Sequence, residues 1–210
     1  MTSAPAEPRW RRLEPDARRE QILECAVRMF GERPYAAVST SDLARTAGVA
    51  RGLINHYFGT KRDLYVEVVR TLVRLPDHDE AVVATGALKT RVQRSVEWFL
   101  DVVSVHALAF VAVTGAEGVG ADPEIERILA AADDAAARRV LETVGLSAEV
   151  AEHRAVVRAY GGLVKAAVRE WVRGETLTRE QVQLLLSQAL ITIVRDVLPQ
   201  VHGRAPSRTN

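Results

Sequence analysis

Apolar residues recur along this chain at three- and four-residue spacing, the mark of helices with one buried face. No stretch shows the strict alternation of a half-buried strand. Pro15 and Asp16 open the first stripe, Ile22, Cys25, Ala26, Met29 and Phe30 carry it, and Gly31 with Pro34 is expected to stop it. Two short runs follow: Leu43, Ala44 and Ala47, then Val49, Leu53, Ile54, Tyr57 and Phe58. They predict helices over roughly 40–47 and 50–56. Thr60-Lys61-Arg62-Asp63 reads as the cap of a fourth helix, whose stripe is Leu64, Val68, Leu72 and Leu75. Pro76 and the acidic DHDE after it mark a boundary.

Beyond that boundary the helical period continues. Val92, Val96, Phe99, Val103, Leu108, Phe110 and Val111 predict one or two helices over 88–115. GAEGVGAD (115–122) is a Gly-rich turn; it follows no strand and lacks P-loop spacing, so it is not a phosphate cradle. Asp122-Pro123-Glu124 is an N-cap, a proline at the first helical position and a first-turn acid, starting a helix that Gly145 closes. Ser147 is expected to cap the next helix, 150–173, and Thr178 with Gln181 forms a capping box for the last, 179–198. The prediction is an all-α protein: an arm over 1–14, an N-terminal helical domain over 15–75 and a larger helical domain over 76–210.

Residues 39–58, STSDLARTAGVARGLINHYF, have the form of a helix-turn-helix. Ser39 offers an N-cap with Asp42 in the first turn, Ala44 is small where the helices must approach, and Gly48 can take a positive φ. Leu43, Val49, Ile54 and Phe58 would fill the wedge between the helices. An ordinary pair of short bundle helices is the competing reading.

Charge adds a modest asymmetry. Residues 1–75 hold 13 Lys and Arg against 9 Asp and Glu, and residues 76–210 hold 15 against 18, so a basic first part precedes a mildly acidic second. That is the balance expected if only the first part touches a polyanion. Arg9, Arg11 and Arg12 in the arm are candidates for phosphate or the minor groove, or are a solvated tail. The single cysteine, Cys25, excludes a disulfide framework within one chain and suits a reducing cytoplasm. The N-terminus lacks the apolar core of a secretory signal, and the apolar run Val102–Val113, interrupted by Ser104 and His106, is too short to span a bilayer. A cytoplasmic protein with no membrane contact is expected.

With GTKRDLYVEVV following the helix-turn-helix, residues 18–70 closely resemble the N-terminal domain of the TetR/AcrR family of transcriptional regulators. The matching residues are Ile22, Ala26, Met29 and Phe30; Leu43, Ala44, Gly48 and Val49; His56, Tyr57, Phe58, Gly59 and Lys61; and Leu64 with Tyr65. The resemblance implies a three-helix DNA-binding domain whose short third helix enters the major groove. By motif position Arg51, Leu53, Asn55 and His56 would face the groove, where Arg pairs with guanine, Asn with adenine, and Leu meets a thymine methyl. Ser41 matches a base or backbone position; Thr40, Tyr57 and Lys61 match phosphate positions. His56 and Tyr57 have packing as the alternative. Leu53 and Asn55 depart from the family's usual small polar residue and tyrosine.

The resemblance also implies partners: a double-stranded, palindromic DNA operator, a second copy of the chain, and a small-molecule effector not identifiable from sequence. The last two helices would pair with their copies in a homodimer, Gly161-Gly162 allowing close approach, or else finish the protomer's own core. An apolar cavity in the second domain would hold the effector, with Trp98, Phe99, Val102, His106, Phe110, Tyr160, Val164 and Trp171 as candidate lining or plain core.

Catalysis is not expected. The histidines (56, 78, 106, 153, 202) lack metal-ligand spacing, there is no Gly-x-Ser-x-Gly, and Cys25 sits in a core stripe. No metal or cofactor is implied. Two readings remain: a dimeric repressor released from its operator by a ligand, and a helical ligand-binding or scaffolding protein without useful sequence-specific DNA binding.

Overall fold

The computed structural model describes residues 15–76, 86–115 and 122–201, and the arginines of the predicted arm and most of the Gly-rich turn lie outside them. Every regular element among these residues is helical. The first four are α1 (Pro15–Glu32), α2 (Thr40–Thr46), α3 (Arg51–Phe58) and α4 (Lys61–Val73), with a single 3-10 turn at Tyr35–Ala37. The larger set comprises α5 (Leu88–Ser104), α6 (Ala107–Thr114), α7 (Pro123–Val144), α8 (Ala151–Val172) and α9 (Arg179–Thr192). A π-helical turn, Ile193–Val197, carries α9 onward to Val201.

Three caps stand where the residue types demanded them. Asp122 accepts from the N–H groups of Glu124 and Ile125 at 3.0 and 3.4 Å. Gly145 ends α7 in the left-handed conformation, and Thr178 with Gln181 closes the capping box of α9. Ser147 behaves differently from expectation. Its hydroxyl accepts from Glu149 N–H inside the loop, while Val150, with no side-chain cap, precedes α8.

Gly31 does not stop α1, which runs one residue further. Its role is close approach: a Cβ there would lie 2.7 Å from the backbone nitrogen of Ala109 on α6. The helical domains therefore meet backbone against side-chain-free backbone, and one apolar core passes between them. Ile22, Leu43, Ile54, Leu64 and Val68 pack in a cluster that also includes Ala109, Val113 and Ile125 of α6 and α7. A second core, around Val92, Leu100, Val168, Val182 and Leu186, joins α5, α8 and α9.

The run read as one or two helices over 88–115 is two, bent by 97° between α5 and α6. His106 lies at the bend, exposed. Among the described residues one helix, Arg179–Val201, is long and apolar enough to cross a bilayer by length and composition, with a mean hydropathy of 1.4. Val182, Leu186 and Leu190 of this helix face the core while Leu184 and Leu185 face outward, which leaves apolar residues on both sides.

Candidate nucleic-acid interface

The helix-turn-helix is held by local chemistry at each joint. Ser39 Oγ accepts from Asp42 N–H at 3.0 Å and donates to the Asp42 carboxylate at 2.8 Å. That hydrogen bond, with help from Arg45, holds the Asp42 carboxyl below its usual range. At the other end of α2, Gly48 takes φ +65° and its N–H reaches Arg45 O, while Val49 N–H reaches Ala44 O at 2.9 Å. This paired closure needs a left-handed residue at the position of Gly48. A Cβ there would touch nothing, so the demand is conformational rather than steric. Gln21 of α1 donates to Ala47 O at 3.1 Å and ties the turn to the first helix.

α3 runs from Arg51 to Phe58, two residues beyond the predicted end, because Ile54 and Phe58 are both buried and anchor a second turn. Each such side chain contributes about 1.5–3 kcal/mol of burial. Arg19 of α1 covers the Phe58 ring at 4.8 Å and bonds Glu67 of α4 at 3.0 Å, closing the pocket from above. The opposite face of α3 is open: Arg51, Gly52, Asn55 and His56 are exposed, and Leu53 and Tyr57 are half-buried at its edges. Arg51 and Asn55 stand one helical turn apart on this face. Tyr57 also packs against the core, its ring 5.1 Å edge-on from that of His56. Ser41 is exposed at the start of α2 and Thr40 half-buried beside it.

Lys61 makes contacts inside the protein that the sequence did not reveal. Its ammonium donates to Tyr35 O and Val38 O, both at 2.9 Å, and sits 4.0 Å from the Tyr35 ring centroid. Two of its three donors thus fasten α4 to the turn before α2. Next to it, Thr60 and Asp63 form a reciprocal capping box that fixes the start of α4.

The sequence reading missed what Arg62 does. Its guanidinium meets Asp122 with two bonds, at 2.7 and 2.9 Å, and Glu124 with a third at 2.9 Å. Arg70 reaches Glu124 and Glu67 as well. The N-terminus of α4, directly after the exposed helix, is thereby tied to the N-terminus of α7. No local spacing could have revealed partners 60 residues apart. The Arg62 guanidinium, assisted by the helix N–H groups, holds the Asp122 carboxyl down at about 2. A depressed carboxyl contributes stability that is complete above its unfolded value near 4 and is lost as pH falls through the folded one. The stability gap between the protein and Asp122→Asn, read by circular dichroism melts, is therefore expected to shrink from pH 4 to pH 2. An unchanged gap would mean that Asp122 is not held this way.

In the second domain an apolar cavity of about 140 Å³ lies among the helices from α4 to α9. It gathers Trp98, Phe99, Phe110, Tyr160 and Val164 of the predicted lining, together with Leu72, Val73 and Leu75 from α4 and the stretch after it. Val102, His106 and Trp171 are not among the lining. The bend after α5 turns His106 to solvent, Val102 is half-buried, and Trp171 packs on the second core near the end of α8. Tyr160 donates to Leu186 O at 3.0 Å, and burial pushes its ionisation up.

Three helices build a helix-turn-helix with an exposed third helix, and the attached helical domain encloses a cavity. Residues 22–68 match the model of the bacterial regulatory proteins of the tetR family. The HTH-type transcriptional regulator BetI of Rhizobium meliloti is 39% identical over 82 residues, which cover 39% of each chain. The chain thus spans about two-fifths of that relative. The HTH-type transcriptional activator FasR of Mycolicibacterium smegmatis is 26% identical over 172 residues, 80% of this chain and 78% of its own. Among solved structures, a tetR-family transcriptional regulator from Streptomyces coelicolor superposes with a TM-score of 0.70 at 24% identity, covering 88% of this chain and 85% of its own.

Proposed function

We propose that this chain is a cytoplasmic transcriptional regulator that binds a two-fold symmetric DNA operator as a homodimer and is released by a small molecule. The observation that carries this reading is the face of α3. Arg51, Asn55 and His56 project from a helix whose other side is locked by Ile54 and Phe58, as direct base readout in the major groove requires. Ser41 and Thr40 would contact the flanking backbone, with Tyr57 at the edge. Lys61 could add only its remaining N–H.

Dimerisation is supported by the apolar surface of the last two long helices. Leu163 of α8 and Leu184 and Leu185 of α9 are 37%, 61% and 40% exposed, large apolar side chains that a lone protomer leaves in water. The glycine pair divides its work: Gly162 is exposed on this side, while Gly161 lines the cavity. Effector release is supported by the cavity's contact with Leu72 and Val73 near the end of α4, since a ligand can shift the reading heads only through a wall that moves with them. Repression is the form of regulation proposed, an operator-bound dimer blocking the promoter.

The test is fluorescence anisotropy of the duplex upstream of the protein's own gene against a scrambled duplex, at two salt concentrations. Preference for the first that survives the higher salt supports the reading; equal, salt-suppressed binding to both overturns it.

Gly52 sharpens it further. It lies in the first turn of α3 at ordinary φ, and a Cβ there would meet no atom within 4 Å, so nothing inside the protein requires glycine. The reason then lies outside, in the close approach of DNA. Gly52→Ala is expected to stabilise the free protein, by at most about 1 kcal/mol. It should also weaken operator binding by an amount comparable with one base contact, about 1–3 kcal/mol. Undiminished binding would mean the groove comes no nearer than a methyl group.

A further inference from the structure

The charged residues of the cavity wall are not scattered. Asp133 and Arg139 come from α7 and Arg158 and Lys165 from α8, facing a lining otherwise built of side chains such as Trp98, Phe99, Phe110 and Val164. Among the described lining residues that is three cations against one carboxylate, with Asp134 beside Arg158 adding a second. Arg158, Gly161 and Lys165 follow one another on a single stripe of α8 at helical spacing. The middle position is a glycine whose Cβ would touch nothing within 4 Å, which leaves room beside both cations. Lys165 donates to Asp133 at 2.6 Å and Arg158 to Asp134 at 2.8 Å, so each keeps further N–H donors. Both side chains are 28–40% exposed, desolvated enough for a ligand to strengthen the contact by completing the enclosure.

Resting on the reading of this cavity as the effector site, we propose that the effector is a small amphiphilic carboxylate. Its apolar body sits against Trp98, Phe99 and Phe110, and its head group is received by Lys165 and Arg158 over Gly161. The cavity is close in volume to the roughly 150 Å³ that accommodates a benzene ring, so the body is compact. An amine would be turned away by the excess of cations, and an alcohol would gain only neutral hydrogen bonds.

Three probes share one apolar body and differ in the head: phenylacetate, 2-phenylethanol and 2-phenylethylamine. Binding to the full chain is read by calorimetry and by the fluorescence of Trp98, which lines the cavity. Phenylacetate is expected to bind about tenfold or more tightly than the alcohol, with the amine weakest. Lys165→Met should reduce the preference for phenylacetate over the alcohol several-fold, Arg158 retaining part of it, while leaving the alcohol unchanged, which also shows that the variant's cavity is intact. Asp133→Asn, which removes the competing carboxylate, should tighten phenylacetate binding. Equal binding of acid and alcohol to the unaltered protein, or a Lys165→Met variant that keeps the full preference, overturns the head-group assignment and leaves the cavity reading standing. Binding of none of the three overturns the cavity reading and this proposal together.

Discussion

Replacing Arg51 by alanine is expected to abolish specific operator binding while leaving the fold and melting temperature unchanged. Arg51 is exposed at the start of α3 and makes no ion pair among the described residues. A bidentate arginine–guanine contact is worth about 1–3 kcal/mol of discrimination. In a two-fold symmetric complex it is lost twice, so specific affinity should fall by on the order of 10²-fold or more. The loss has a diagnostic form. A base reader relaxes specificity at one position of each half-site with little change in salt slope, whereas a phosphate contact weakens all sequences and reduces the slope by about one. Anisotropy titrations on the operator and on single-position variants separate the two. If Arg51→Ala bound operator as tightly as the unaltered protein, α3 would not be the reading helix.

The double substitution Leu184→Asp with Leu185→Asp is expected to produce a folded monomer. Both side chains are exposed in the protomer, whereas their neighbours Val182 and Leu186 carry the core contacts of α9. The fold should therefore survive. At the proposed interface each leucine would contribute about 1.5–3 kcal/mol of burial, counted on both subunits, and each aspartate would add a desolvation cost. Such a loss exceeds the stability of ordinary dimers at micromolar concentration. Analytical ultracentrifugation should show the unaltered chain at twice the mass of the variant, and the variant should lose operator binding because one head reaches only one half-site. A variant that stays dimeric would place the interface elsewhere.

How far the sequence spoke depended on the range of the interaction. Gly48, Ser39, Thr60, Asp122 and Thr178 act within a few residues of themselves, so their chemistry was legible before any fold was known, and the helix-turn-helix with it. Gly31 was misjudged for the opposite reason. Glycine near a helix end resembles a stop, and only the backbone of Ala109, far along the chain, reveals a contact. Lys61 and Arg62 show the same limit: their partners are Tyr35, Val38, Asp122 and Glu124, brought near by tertiary packing. In the cavity, five of eight candidates lie on inward faces because helical period alone locates them. His106 failed because a 97° bend interrupts that period between two apolar helices.

These assignments also suggest how the halves communicate. The cavity touches the end of α4, and the Arg62–Asp122 pair ties its beginning to α7, so both ends of α4 are held by the second domain. In the proposed regulator, a ligand that displaces α7 or the end of α4 would act on one of these two attachments.

The central claim is that two copies of α3 read two halves of one operator, and nuclease protection across the DNA upstream of the gene tests it most directly. The account predicts a single protected region with two symmetry-related half-sites, lost in Arg51→Ala. Patternless protection that spreads with concentration and vanishes with salt would contradict it.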